Sequence, residues 1–226
     1  QMHLVVLCDG MGGMQQGELA SRQVVDAFRL WFEKNASKYQ GDNIYTRMCL
    51  LKEVKKVLLD VNRDILTYGE RNEKKLGTTA SVLLIINKKY FIFHVGDTRI
   101  YKYNTTLQQL TQDHTLANLK NKQNVLTEKQ IRMGVDKHIL YQCIGTSETI
   151  KIQRNKGRLK NGDTFFLCCD GMYHLLPEKE LERYVATLRR KDPDVVKRIL
   201  RDMIYLVQGK GETDNITSLV ADVIEI

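Results

Sequence analysis

Four strongly apolar runs in this chain each stop or start at an aspartate that has a glycine or asparagine beside it. They are Val5-Val6-Leu7-Cys8-Asp9-Gly10, Phe91-Ile92-Phe93-His94-Val95-Gly96-Asp97, Phe165-Phe166-Leu167-Cys168-Cys169-Asp170-Gly171, and Asp214-Asn215 ahead of Ile216 to Val223. Runs this apolar must be buried, and burying them carries the four acids to the rim of a dry core. A carboxylate in such a place is costly unless it is protonated, paired with a base or bound to a cation. Any one Asp-Gly is an ordinary turn signal. Four in the same setting point to a shared cause, and a cluster of hard-metal ligands is the simplest one. Oxygen-only ligand sets select Mg²⁺, Mn²⁺ or Ca²⁺ over zinc, and a carboxylate bridging two such ions gives the geometry used in phosphoryl hydrolysis. Glycine next to the acid lets a backbone carbonyl or a hydrated ion approach closely.

Between these runs the periodicity switches twice. An opening strand, Leu4 to Cys8, precedes a helix over Gly17 to Glu33, whose Ala20, Val24, Ala27, Phe28 and Trp31 share one face. A second helix over Met48 to Tyr68 carries Leu51, Val54, Leu58, Val61, Ile65 and Tyr68, and the two are expected to be antiparallel neighbours. From Thr78 onward, β-branched and aromatic runs (Ala80 to Ile86, Tyr90 to Val95, Arg99 to Tyr103, Leu107 to Leu110) read as an antiparallel meander with turns at Asn87-Lys88 and Asn104-Thr105. A polar stretch from Asp113 to Asp136, with a short helix at Thr127 to Met133, reads as mobile surface. Strands are expected at His138 to Cys143, Thr164 to Cys169 and Asn215 to Ile224, and helices at Pro177 to Val185 and Pro193 to Val207. This order predicts antiparallel sheet layers with helices outside.

Composition narrows the classes. The 226 residues, 42% apolar and 27% charged, carry no Pro- or Gly-rich linker, and one domain spanning 1–226 is expected. No stretch approaches the roughly 20 apolar residues of a membrane helix, and Gln1-Met2-His3 does not open a secretory leader, so a cytoplasmic location is expected. The five cysteines form no C-x-x-C pair and read as reduced core residues. Net charge is +8, densest over Lys151 to Lys160 and at Arg189-Arg190-Lys191. Without interleaved aromatics this reads as a solvated basic surface rather than a nucleic-acid site.

The blocks Asp9-Gly10-Met11-Gly12-Gly13, Gly17-Glu18-Leu19-Ala20-Ser21, Gly77-Thr78-Thr79-Ala80, Val95-Gly96-Asp97-Thr98-Arg99, Leu110-Thr111-Gln112-Asp113-His114-Thr115, Cys169-Asp170-Gly171 and Asp214-Asn215-Ile216-Thr217 resemble, in order, the motif series of the metal-dependent protein phosphatases of the 2C type, most of all the bacterial serine/threonine enzymes. The resemblance implies an α+β fold, an antiparallel β-sandwich flanked on both sides by helix pairs (four-layer αββα), with metals in a cleft at one end. It implies that Asp9 bridges two Mn²⁺ or Mg²⁺ ions, that the Gly10 carbonyl completes one, that Asp170 and Asp214 hold the other, and that Asp97, with Asp170, serves a third ion as in bacterial relatives. The implied reaction is hydrolysis of phosphoserine and phosphothreonine esters on proteins by a metal-bridging hydroxide. The implied partners are phosphoprotein substrates and a cognate protein kinase, with a monomer as the default state.

Two departures stand out. The family pattern opens with a strand pair bearing an arginine and then an acid, and neither motif is in this sequence: either the sequence starts after the native N-terminus or the protein is built without that segment, and a catalytically impaired pseudophosphatase acting as a binding or regulatory module is the alternative. Some members place a histidine after the first Asp-Gly as general acid, where this chain has Met11, which donates no proton. His94 and His114 read as structural, as do Thr78, Thr79 and an Arg99 paired with a nearby acid. Asn215 is expected to order the turn that carries Asp214, and Thr115 to Asp136 to form a variable flap beside the cleft.

Overall fold

The structure is a computed structural model that describes residues 2–12, 14–39, 43–122 and 139–225. Its centre is the pair β4 (Ala80–Ile86) and β5 (Lys89–Val95), joined by a tight hairpin in which Asn87 adopts φ +50°. Both strands are apolar on both faces because both faces are covered. Val82, Leu84 and Ile86, with Phe91, Phe93 and Val95, meet a helical layer, whereas Leu83, Tyr90 and Ile92 meet a second sheet. The first sheet is completed by β1 (Met2–Leu7) beside β4 and β8 (Gln153–Arg158) beside β5, all antiparallel.

The second sheet runs β10 (Ser218–Asp222), β9 (Thr164–Cys168), β6 (Arg99–Tyr103) and β7 (Leu107–Gln109), again antiparallel throughout. Phe165 and Leu167 of β9 point between the sheets, with the Phe165 ring edge-on to Tyr90 at 5.2 Å. Their neighbours Phe166 and Cys168 point the other way, into a core shared with α4 (Asp170–Tyr173), α5 (Glu178–Leu188) and α6 (Pro193–Gly209). On the opposite side α1 (Met14–Asn35) and α2 (Ile44–Arg71) cover the first sheet through Ala20, Val24, Phe28, Leu50, Val54, Leu58 and Ile65. The result is the expected four-layer αββα sandwich. A two-stranded ribbon of β2 (Gly10–Met11) and β3 (Gly77–Thr78) stands apart from both sheets.

The helices run longer than apolar spacing predicts, because polar ends extend them. Asn43 caps α2 by accepting from the Thr46 N–H at 2.7 Å, so the helix starts at Ile44, and Leu50 takes the fully buried place expected of Leu51. At α6 the Asp192 side chain accepts from the Asp194 N–H, with Pro193 at the first helical position. Two strand expectations are corrected. Among residues 139–143 there is only an isolated bridge, Leu140 to Thr115, and no ladder. The strand that borders β5 is Gln153–Arg158, inside the segment expected to be plain basic surface. Its inward residues are Gln153, Asn155 and Gly157, so it lacks the apolar alternation that marks a strand. Gln153 and Asn155 reach the Leu110 carbonyl at 3.4 and 2.9 Å, and Gly157 leaves room for the Tyr90 ring.

The last strand is shorter than expected, Ser218–Asp222, and Cys49 is exposed rather than part of the core. Of the basic cluster near 190, Arg189 is a turn clamp that donates to the Gly162 and Asn104 carbonyls at 2.8 and 3.0 Å. The expected helix at Thr127 to Met133 lies outside the described residues. No described helix is long and apolar enough to cross a membrane. Since Phe165 is fully buried between the sheets, Phe165→Ala is expected to lower stability by about 3–5 kcal/mol in urea unfolding. A loss under about 1 kcal/mol would show that the two sheets do not share a packed core.

Candidate functional site

Strand register brings the four aspartates to one end of the sandwich. Leu7 pairs with Ser81, and the adjacent Ala80 pairs with Val95, so the end of β1, the start of β4 and the end of β5 lie side by side in the first sheet. In the second sheet Cys168 pairs with both Arg99 and Ser218. Asp9 follows β1, Asp170 follows β9, and Asp214 precedes β10. Asp97 sits in the Gly96-Asp97-Thr98 link that steps from β5 to β6, and this link fixes the two ends as the same end.

Backbone contacts hold each acid in place. The Asp9 N–H donates to Thr79 Oγ1 at 2.9 Å, and the Asp9 carbonyl accepts from the Thr79 N–H at 2.8 Å and from Thr78 Oγ1 at 2.9 Å. Gly10 packs back to back against Gly17 of α1, and a Cβ on Gly17 would come within 2.6 Å of the Gly10 carbonyl carbon. Gly96 has φ +110° and presses on Thr79, so glycine is needed there on both counts. Gly171 leaves room for the Asn215 carbonyl, 2.6 Å from where a Cβ would stand, which lets the Asp214 turn lie against Asp170. The Asn215 N–H donates to Asp214 Oδ1 at 2.7 Å, the ordered turn expected of that residue.

Asp9, Asp170 and the Cys169 thiol offer donor atoms that all lie within 4.8 Å of one another. Burial pushes the Asp9 carboxyl up to about 7, helped by the charges of Asp170 and Asp214 and by a hydrogen bond with Asp170. Asp97, 6% exposed, is likewise pushed up to about 7, first by burial and then by Asp170, Asp113 and Asp9. Among the described residues no lysine or arginine forms an ion pair with any of the four; Asp170 has only His174, at 3.9 Å. The arrangement therefore has the charge of a cation site without, among the described residues, a lysine or arginine to balance it. Cys169 is not part of that donor set. Its thiol donates to the Asn215 carbonyl at 3.2 Å and accepts from the Thr217 N–H at 3.1 Å, so its donor and acceptor capacity is already used in the turn, and burial pushes it up to about 12. What remains is all oxygen, which suits Mn²⁺ or Mg²⁺.

Asp97 and Asp214 are not within 4.8 Å of the whole Asp9–Asp170–Cys169 group, although Asp9 feels the charge of Asp214, and Asp97 feels that of Asp170 and Asp9. Gly10 lies exposed in β2 opposite Thr78. His94 is buried, with Nδ1 against Ser81 Oγ at 2.9 Å and Nε2 against the Gly96 carbonyl at 2.9 Å. His114 Nδ1 accepts from the Gly96 N–H at 3.1 Å. Both histidines are structural, as expected, and Arg99 pairs with Asp113. Sequence reading passed over Tyr173 and His174, which lie one helical turn beyond Asp170. Their only signal was position, three and four residues after a candidate ligand. Of the expected flap, residues 115–122 are described and carry the helix α3 (Leu116–Lys122).

A family model described as protein phosphatase 2C matches residues 1–205. The chain belongs to that family. Serine/threonine phosphatase stp of Listeria monocytogenes is 26% identical over 222 residues, 97% of this chain and 84% of the relative. The solved structure of serine/threonine phosphatase Stp1 from Staphylococcus aureus superposes with a TM-score of 0.83 at 25% identity, covering 99% of this chain and 84% of that one. The catalytic domain of the phosphatase PstP, solved with two manganese ions, gives 0.79 at 24% identity over 98% of this chain and 88% of its own.

Crowding of the acids has a measurable consequence in chelated, metal-free protein. The folded state holds protons on Asp9 and Asp97 up to about 7, while the unfolded chain releases them near 3.8. These two groups therefore withdraw stability as pH rises from about 4 to 7 and leave it withdrawn above that. His94, pushed down to about 3 by burial, acts in the opposite direction between 3 and 6.5. The difference between the parent and Asp97→Asn isolates the aspartate. At pH 8 the chelated variant should be more stable than the parent by roughly 2–4 kcal/mol, with the gap closing toward pH 4. A variant no more stable than the parent at pH 8 would mean that Asp97 is not under strain.

Proposed function

We propose that this chain is a metal-dependent phosphatase for phosphoserine and phosphothreonine on proteins, with Asp9, the Gly10 carbonyl, Asp97, Asp170 and Asp214 as ligands of two or three Mn²⁺ or Mg²⁺ ions. The observation that carries this reading is the set of four carboxylates at one end of the sandwich, two of them pushed up to about 7, in a chain of the protein phosphatase 2C family. Bound there, the cations supply Lewis acidity that lowers the pKa of water and offsets the charge on the phosphoryl group.

The chain's own residues do the rest. Asp9, fixed by three hydrogen bonds to the Thr78-Thr79 segment, feels the charges of both Asp170 and Asp214, and its carboxylate would be shared between the cations they hold. Asp170 opens the short helix α4, with Oδ1 accepting from the Gly171 N–H at 2.7 Å, so its orientation is set before any ion arrives. Met11 offers no proton, so the leaving alkoxide is protonated by another donor. We take residues 1–226 as one phosphatase domain, monomeric and cytoplasmic, that reverses the work of a cognate protein kinase.

Phosphate release from a phosphothreonine peptide tests the reading. Turnover in Mn²⁺ should vanish on chelation and fall at least about 100-fold in Asp170→Asn, which loses a direct ligand rather than an outer-shell partner. Mn²⁺ should also raise the melting temperature of the parent and not that of the variant. Mn²⁺ stabilisation without turnover would favour the pseudophosphatase alternative, and equal turnover by Asp170→Asn would remove the assignment.

A further inference from the structure

Asp97 and Asp170 stand on different elements, one on the link between β5 and β6 and one at the start of α4 just past β9, and their like charges push them apart. Something must hold them at a fixed separation. The Arg99 side chain, on β6 two residues past Asp97, makes a planar clamp. Its Nε donates to both Asp113 oxygens at 3.1 and 3.2 Å, and Nη2 donates to Asp113 Oδ2 at 2.7 Å. Nη1 donates to the Tyr101 hydroxyl at 3.0 Å, and the guanidinium lies 3.5 Å from the centroid of the Tyr173 ring. Tyr173 then donates its O–H to the Asp97 carbonyl at 3.0 Å. A closed ring results: Asp97 along the backbone to Arg99, across the stack to Tyr173, and back by a hydrogen bond to Asp97, with Asp170 one turn away on the helix that carries Tyr173.

The far side of the clamp is also anchored. Asp113 accepts from Gln109 Nε2 at 3.1 Å through its side chain and from Asn118 Nδ2 at 3.2 Å through its carbonyl. The next residue's N–H, that of His114, donates to the Gly96 carbonyl at 2.8 Å, directly before Asp97. Only arginine can meet a carboxylate in a fork and lie flat on an aromatic ring at once.

We propose that Arg99 is a positioning residue that, through its stack on Tyr173 and the Tyr173 hydrogen bond to the Asp97 backbone, sets the Asp97–Asp170 separation and so determines whether an outer divalent cation binds between them. The inference rests on the ligand assignment proposed above. A merely structural Arg99 would cost stability and affect every ion site alike. A positioning Arg99 acts selectively on the site that contains Asp97 and leaves the Asp9–Asp214 side alone.

The experiment is titration of the purified, chelated chain with Mn²⁺, following free Mn²⁺ by electron paramagnetic resonance, for the parent, Tyr173→Phe, Arg99→Lys and Asp170→Asn. Circular dichroism at the same temperature establishes that each is folded. Tyr173→Phe keeps the ring and the stack and loses only the O–H bond to Asp97. It should weaken the weakest Mn²⁺ site about tenfold or more while leaving the tighter binding unchanged, and Arg99→Lys should do the same to a greater degree. In turnover assays both should need more Mn²⁺ yet approach the parent's kcat at saturation. Isotherms of folded Tyr173→Phe that superpose on the parent's, or weaken at all sites together, would overturn the inference. If those superpose while Asp170→Asn loses Mn²⁺, only the positioning role falls. If Asp170→Asn binds like the parent, the ligand assignment falls and takes the positioning role with it.

Discussion

Repulsion among Asp9, Asp97, Asp170 and Asp214 is the constraint around which the rest of this molecule is organised. Left to themselves, four carboxylates in a half-buried cleft would protonate or separate, and the upward shifts of Asp9 and Asp97 record how far protonation is favoured. The scaffold opposes separation. Two antiparallel sheets packed through Phe165, Leu167, Leu83 and Ile92 end at one rim, and Asp9, Asp97 and Asp170 each follow a strand of that core by two residues, with Asp214 in the exposed turn ahead of β10. A site strained in this way is expected of a fold that spends stability on binding a cation.

The supporting shell is built more from backbone and small residues than from charge. Thr78 and Thr79 hold both the N–H and the carbonyl of Asp9, so the acid's side chain remains available. Gly10 against Gly17, Gly96 against Thr79 and Gly171 against Asn215 are close approaches that any Cβ would obstruct, and they let segments distant in sequence meet at the rim. Arg99, a charged element of the shell, is balanced by Asp113 rather than by the site acids. It therefore fixes geometry without neutralising the charge that a cation would meet.

Much of the architecture was legible along the chain because burial leaves periodic marks. The doubly apolar β4 and β5, the one-sided α1 and α2, and the cap and proline at the start of α6 all follow from local rules. Strand β8 escaped because Gln153, Asn155 and Gly157 face inward, satisfied by hydrogen bonds to Leu110 and by contact with Tyr90, and such partners are invisible to a pattern of apolar residues. The apolar texture near Leu140 suggested a strand where, among the described residues, only the bridge to Thr115 forms. At the site, the four acids were legible from their recurrence. The Arg99–Tyr173–Asp97 ring was not, because it joins residues 76 positions apart through one hydrogen bond and one stack.

The sequence alone determined that antiparallel sheets carry helices outside and that the site is built of acids, since these rest on apolar periodicity and on which residue types follow which strands, while the four-layer order and the family were legible through the resemblance of its ordered motifs. Tertiary structure alone decided that the four aspartates share one end, that Cys169 beside them is a hydrogen-bonded thiol outside the donor set, and that His94 and His114 are committed to the Gly96 link. The physical reason is that charge coupling, burial and hydrogen-bond satisfaction depend on distances in space, and antiparallel register sets those distances only once both sheets have formed.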